Sequence, residues 1–291
     1  MDALRKLIEG LEEDRRLDEP HRLRERLEAV DQLDALFVGE PLSDRGNPSI
    51  ETEDFERARA MYERLEAANL AVYEGIRAEI EHGRGDRLRE WARRLGMEED
   101  GAGCASGESY DCLDELIGGV LRFKRPGDRV APLAEGMVFY QPTPARHIFD
   151  LMRRAGLTEH DVLIDLGSGL GHVPLIASIS TGASAIGIEL EAAYIDCARQ
   201  CAQALHLNKV RFVQQDARAA DLSAGTVFYL YTPFAGPMLR AVLDALRVES
   251  SRRAIRVCTF GPCTLNVADE PWLRASGAVE AGRIAVFSSC D

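Results

Sequence analysis

The stretch Val162-Leu163-Ile164-Asp165-Leu166-Gly167-Ser168-Gly169-Leu170-Gly171-His172 leaves this chain few ways to fold. Three apolar residues read as a buried strand that an acidic residue closes. Three glycines at every second position follow, and then the helix-like run Val173 to Ile179. Glycine belongs where a backbone turns tightly at positive φ or where a ligand lies against it. A helix starting directly after such a turn presents free N–H groups and a positive dipole end to whatever sits there. The stretch is therefore a strand–turn–helix cradle for a nucleotide-like ligand.

Downstream, helical and strand patterns alternate. Helices are expected at 170–180, 192–207 and 235–246, and strands at 161–165, 185–190, 210–214, 226–231 and 254–260, with short terminal β runs at 279–280 and 283–288. Strands spaced by single helices imply right-handed crossovers and a parallel sheet. The last two runs are too close for a crossover, so at least one is expected to be antiparallel.

Upstream the pattern is helical throughout. Periodic apolar residues mark helices over 1–17 and 20–38, turn chemistry fills 39–51, and a long helix is expected from Thr52 to Glu81. Its stripe runs Phe55, Ala58, Tyr62, Leu65, Asn69, Val72, Ile76 and Ile80. An intramolecular bundle accounts for it better than a dimer seam with Asn69 setting register, because only four heptads are covered. A shorter helix restarts after Arg84 and runs through Leu95. The segment EEDGAGCASGES (98–109) is the best internal boundary. Then come a helix over 110–121 and another opened by Thr143-Pro144, a good N-cap and first-turn pair. The expected fold is α/β, a doubly wound, mostly parallel sheet with an antiparallel C-terminal strand, preceded by an all-α N-terminal domain. The expected domains are 1–108, a substrate lid or interaction module, and 109–291, the sheet domain with its lead-in helices.

Composition narrows the partners. Net charge is −13, and residues 1–100 carry 17 Lys+Arg against 27 Asp+Glu, a net of −10. Such a chain lacks the cationic footprint of sequence-independent nucleic-acid binding, so a nucleic-acid partner is not expected. The seven cysteines are scattered without a CxxC pair, which argues for reduced thiols over a disulfide framework or structural zinc. Cys197 and Cys201 lie one helical turn apart, yet no third or fourth ligand is near, so small core residues are the better reading and no metal is expected. The N-terminus has no apolar run of signal-peptide length and no segment approaches ~18 apolar residues, so no membrane is expected and a cytoplasmic location is.

Spacing separates two cofactors. A dinucleotide fingerprint, G-x-G-x-x-G, would need its third glycine where His172 stands. Glu189, at the end of the second strand, suits ribose hydroxyls in either case. Four motifs in order, DLGSGLG at 165–171, GIE at 187–189, QQDA at 214–217 and YLYTPF at 229–234, resemble class I S-adenosylmethionine-dependent methyltransferases over about residues 135–291. The resemblance implies a seven-stranded sheet with the last strand antiparallel. It implies S-adenosyl-L-methionine as cofactor, with the loop Gly167, Ser168, Gly169 and Gly171 against its methionine part and Asp165 orienting loop and amino group. Glu189 would grip the ribose beside Leu190. Asp216 would accept from the adenine amine and Ala217 N–H would serve a ring nitrogen. Tyr140-Gln141-Pro142-Thr143 resembles the loop that closes over the cofactor in non-SET histone-lysine and some DNA methyltransferases, making Tyr140, Gln141 and Thr143 cofactor contacts.

Each assignment has a plainer counterpart: Asp165 as a turn cap, Thr143 as a helix cap alone, Asp216 as an Asx-turn residue, His172 as a helix-start residue. Methyl transfer is mostly alignment of an acceptor with the methyl group, with a base needed only where the nucleophile arrives protonated. Candidate catalytic residues are Tyr231, Tyr140 and His172, with Tyr231 also a cofactor contact. Thr232-Pro233-Phe234 keeps only a partial likeness to the [DNS]-P-P-[YFW] site of enzymes that methylate base amines. The expected function is methyl transfer to an O or N atom of a small molecule or a protein side chain. A non-catalytic cofactor-binding scaffold and a nicotinamide-dependent oxidoreductase are the alternatives, and a homodimer through the N-terminal helices is a further expectation.

Overall fold

The computed structural model describes residues 2–38, 52–96, 107, 109–124, 140–232 and 234–290. The turn segment at 39–51, all of the 98–109 boundary but Gly107 and Ser109, and Pro233 lie outside the described residues. Two compact units are present, Met1–Ile76 and Arg77–Asp291.

The first unit contains α1 (Asp2–Glu13), α2 (Leu23–Val38) and α3 (Thr52–Glu81), the last running on into the second unit. Ile8, Leu17, Val30, Leu33, Met61 and Leu65 form its core. The polar member of the α3 stripe is used within the chain: Asn69 Oδ1 accepts from Arg26 Nε at 2.7 Å. Arg26 is wholly buried, and its other donors meet the carbonyls of Leu17, Glu19 and Pro20.

The second unit begins with α4 (Asp86–Arg94), α5 (Cys112–Leu121) and α6 (Ala145–Ala155). The alternating pattern follows: β1 (Val162–Leu166), α7 (His172–Thr181), β2 (Ser184–Glu189), α8 (Ala192–Ala204), β3 (Val210–Gln214), β4 (Val227–Tyr231), α9 (Gly236–Ser250), β5 (Arg256–Phe260), α10 (Cys263–Ala268), β6 (Leu273–Ala275) and β7 (Ala285–Ser289). The strand order is β3-β2-β1-β4-β5-β7-β6. The first five strands run parallel, and β7 pairs antiparallel with both β5 and β6. This is the expected doubly wound sheet with its antiparallel closing strand. Its buried runs follow from position, since central parallel strands are covered on both faces. Ile164, Phe228, Leu230 and Val257 from the sheet pack with Leu243 and Leu246 of α9.

Two expectations are corrected. The run at Val279–Glu280 is not a strand, and the partner of β7 is Leu273–Ala275, in register Leu273 with Ser289 and Ala275 with Phe287. Trp272 and Leu273 bring buried apolar surface to that pairing, whereas residues 276–284 make the return between strands, with Gly261 N–H bonded to Ala281 O. Thr143 does not cap α6: its hydroxyl meets Tyr229 Oη at 3.1 Å, and the first N–H of the helix, Ala145, donates to Asp114 Oδ1 at 2.7 Å. A carboxylate from α5 thus does the work expected of the local hydroxyl.

Candidate cofactor cradle

The glycine loop leaves β1 at its C-terminal end, beside β4, where the strand order reverses direction; open α/β sheets place ligands at that position. Gly167, Gly169 and Gly171 have φ of 91°, 52° and 86°, the left-handed backbone that other residues resist. The N–H groups of Gly167 and Ser168 both donate to Ile188 O, at 2.9 and 3.0 Å, hooking the loop to the end of β2. There Glu189 gathers three backbone donors: Gly169 N–H on Oε2 at 2.9 Å, and Leu190 and Glu191 N–H on Oε1 at 2.7 and 2.9 Å.

Asp165 sits beneath the loop, 4% exposed, and its carboxyl oxygens accept no hydrogen bond among the described residues. Burial, with the negative charge of Glu189 nearby, pushes its carboxyl well above the usual carboxylate range. Ser168 Oγ is buried without a hydrogen-bond partner. Buried polar groups are normally satisfied, so this orphaned hydroxyl beside a buried carboxyl group marks a site that a polar ligand completes. These residues suit S-adenosylmethionine: a buried carboxyl group that an ammonium would hold in its ionised form, a hydroxyl, and a second carboxylate at the end of the neighbouring strand.

Tyr140 covers the loop. A Cβ on Gly169 would run into its ring. The phenol oxygen lies 3.2 Å from His172 Nδ1, and the ring leans on Tyr194 with centroids 4.9 Å apart. Burial raises the Tyr140 phenol pKa and lowers that of His172 to about 4, so both are neutral at physiological pH. Phe123 lies against the other side of His172, centroids 4.6 Å apart. Beside His172, a cavity of about 110 Å³ is lined by Tyr110, Asp114, Pro142, Thr143 and Ile148 among others.

The remaining candidates fall along the same edge of the sheet. Leu190 is 45% exposed at the end of β2, and Gln141 is exposed. Asp216, after β3, caps the 3-10 turn Ala217–Ala219 and is bonded to Arg218 through its backbone N–H at 2.9 Å and its guanidinium at 2.6 Å. Tyr231 ends β4 on the other side of β1, its ring 4.7 Å from that of Phe260, which packs on His147 at 4.2 Å. Thr232 follows at φ 36°, an uncommon conformation for a β-branched residue, with its hydroxyl accepting from Cys263 N–H at 3.1 Å. Cys197 and Cys201 donate instead to the carbonyls of Lys124 and Leu121, at 3.1 and 3.2 Å.

Sequence reasoning missed Asp114, Tyr194 and Phe123. The Asp111-x-x-Asp114 spacing of a capping box was the available signal for the first, and both of its reciprocal bonds are present. No local pattern marks the other two.

A ligand cradle at the carboxyl edge of this sheet, closed by an antiparallel seventh strand, defines a Rossmann-like cofactor-dependent enzyme. Residues 138–219 match the family model described as histone methylation protein DOT1. Together with the strand order, this places the chain in the class I S-adenosylmethionine-dependent methyltransferase superfamily. It is an S-adenosylmethionine-dependent methyltransferase, with S-adenosyl-L-methionine as cofactor. Among solved structures it is similar to an RNA methyltransferase from Salinibacter ruber in complex with S-adenosyl-L-homocysteine, at 25% identity and TM-score 0.41 over 51% of this chain and 92% of that chain. It is similar also to a precorrin-6y C5,15-methyltransferase from Geobacter metallireducens GS-15, at 17% identity and TM-score 0.39 over 57% of this chain and 96% of that chain. A third is geranyl diphosphate C-methyltransferase from Streptomyces coelicolor A3(2), at 24% identity and TM-score 0.35 over 40% of this chain and 43% of that chain. No curated protein matches. No helix among the described residues is long and apolar enough to cross a membrane.

Proposed function

We propose that the methyl acceptor is an O or N atom of a small molecule or a protein side chain, and that a basic protein side chain is the best-supported of these. The observation that carries this reading is the match of residues 138–219 to a histone methylation model, a span that includes every proposed site residue from Tyr140 to Ala217. The acidic balance of residues 1–100 agrees with a cationic acceptor, since complementary charge raises encounter rates and excludes like-charged competitors. On this reading the N-terminal segment 1–108 is the selecting module and 109–291 carries the transfer. Membership of a homodimer through the N-terminal helices would draw on Phe55 and Leu70, the exposed apolar residues of α3 at 38% and 44%. The free thiols of Cys112, Cys197, Cys201, Cys258, Cys263 and Cys290 are in keeping with a cytoplasmic location.

When bound, the cofactor supplies an electrophilic methyl group and its own leaving group. The chain supplies alignment. Asp165, Ser168 and the loop amides would hold the methionine end, with Gln141 and Thr143 at its carboxylate. Glu189 would take the ribose hydroxyls, with Leu190 beside it, and Asp216 and the Ala217 N–H would take the adenine edge. Tyr140, His172 and Tyr231 would bound the acceptor side and hold the incoming atom in line. The Tyr140 phenol, disfavoured as an anion by its burial, serves as a hydrogen-bond group and wall, so a cationic acceptor would lose its proton to solvent or to a carboxylate.

Incubation with methyl-labelled cofactor and a cell extract tests the reading. Labelled protein bands support a protein acceptor, and label confined to the small-molecule fraction replaces it with a metabolite.

A further inference from the structure

We propose that His172 is a positioning residue: its neutral imidazole, set between Phe123 and Tyr140, fixes the Tyr140 phenol over Gly169 and thereby holds the glycine loop in its ligand-ready shape. The proposal rests on residues 165–171 being the cofactor loop and is independent of which acceptor is methylated.

The hydrogen-bond directions carry it. The Tyr140 phenol oxygen lies 3.2 Å from His172 Nδ1, and of the two groups the phenol is the stronger donor and the imidazole nitrogen the stronger acceptor. The phenol proton is therefore directed at His172 Nδ1. Nδ1 must then be bare and the ring proton must sit on Nε2, which is the neutral tautomer that the bonding selects. This bond ends at the loop-to-helix junction, because His172 is the first residue of α7 and Gly171 precedes it at φ 86°. Tyr140 therefore clamps the junction from outside, bonded to His172 and packed over Gly169.

Packing removes the alternatives open to the two rings. Phe123 covers one face of the imidazole at a 54° tilt, and Tyr194 leans on the phenol ring at 43°. Tyr140 also fills the space where a side chain on residue 169 would lie, so loop and ring are packed as one unit. The other polar groups around His172 line the adjoining cavity: Asp114 from α5, Tyr110 before it, and Thr143 before α6. Each has a partner elsewhere. Asp114 accepts from Ala145 and Asp111 N–H, Tyr110 donates to Pro142 O, and Thr143 pairs with Tyr229. Tyr140 is the group to which the imidazole is committed.

Three variants of the full-length chain test this: Tyr140→Phe, His172→Phe and the double variant. Affinity for S-adenosylhomocysteine is read by titration calorimetry, and the His172 ring nitrogens are read by ¹⁵N NMR in the free protein. Each single variant should weaken binding about 3- to 10-fold, the effect of one hydrogen bond. The double variant should be no weaker than the poorer single, since both remove the same link. In the wild type Nδ1 should appear as the unprotonated, hydrogen-bonded nitrogen, and its signal should move in Tyr140→Phe. Multiplying effects, or a wild-type ring protonated on Nδ1, would overturn the proposal. Should His172→Phe fail to fold, Tyr140→Phe still decides through the ¹⁵N signal. A wild type that binds no S-adenosylhomocysteine would sink the cofactor-loop reading, while the free-protein spectrum would still report on the Tyr140–His172 link.

Discussion

The backbone N–H of Gly169 donates to Glu189 Oε2 at 2.9 Å, tying the middle of the glycine loop to the end of the neighbouring strand. The same carboxylate accepts from Leu190 and Glu191, so one side chain shapes both the loop and the corner after β2. Its remaining lone pairs are what a ribose would use. Glu189→Ala removes all of this. Affinity for S-adenosylhomocysteine should fall by about 1.5–3 kcal/mol, the range for hydrogen bonds to a charged group, and the melting temperature should fall with it. Calorimetry and a thermal melt read the two effects. Unchanged affinity would put the ribose somewhere other than Glu189.

Asp114 joins two helices that are distant in sequence. It closes the capping box of α5 with Asp111 and caps α6 through Ala145. An Asp114→Ala variant should lose about 1–2 kcal/mol in urea unfolding, near the upper end for a single cap because two helix starts depend on it. Thr143→Val keeps the shape of that side chain and leaves the cap intact. It should change stability by less than Asp114→Ala, and a larger loss would return the capping role to Thr143.

What could be read from the sequence was what is decided locally. The β3 boundaries, the full span of α3 and the positive-φ glycines follow from periodicity and from backbone sterics within a few residues. The elements that escaped depend on partners far along the chain. The strand facing β7 is chosen by pairing and by the burial of Trp272 and Leu273, which short terminal runs do not reveal. The cap of α6 comes from 31 residues upstream. In the site, Glu189 and Asp165 stood out by type and spacing. Their different states, one bonded to three amides and the other buried without a partner, arise only from the three-dimensional arrangement. Asp216 shows both sides: its place after β3 was legible, and its pairing with Arg218 two residues on was not.

Arg26 is the largest of the fully buried side chains, and its acceptors among the described residues are all neutral: three carbonyls and Asn69 Oδ1. Burial lowers its pKa, yet the guanidinium remains charged because its ordinary value is so high. A lysine cannot reproduce this fork of donors. Arg26→Lys should therefore cost about 2–4 kcal/mol, comparable to breaking a buried charged network. Asn69→Leu should cost less, since Arg26 loses only its Nε bond and the other bond removed, Asn69 Nδ2 to Glu66 Oε1, is part-buried. Equal costs in urea unfolding would mean that the Asn69 contact dominates.

Asp165 couples stability to binding, and the sign of each effect can be worked out. Burial and Glu189 raise its pKa in the folded chain, so the folded chain binds the proton more readily than the unfolded chain does. Stability contributed by the neutral form is then present at low pH and lost as pH climbs from the ordinary carboxylate value through the raised folded one. Asparagine has the same shape and never ionises. Asp165→Asn should therefore melt higher than the wild type at pH 7–8, with the gap narrowing as pH falls toward 5. Binding should move the opposite way. The cationic amino group of S-adenosylhomocysteine calls for the carboxylate form, so wild-type affinity should rise with pH through the raised pKa while the variant stays flat and about 10- to 100-fold weaker, the worth of a charge-assisted hydrogen bond. A variant that melts lower and still binds normally would show that Asp165 only supports the turn. Higher melting together with weaker binding would show a buried charge kept for its ligand at the expense of the fold.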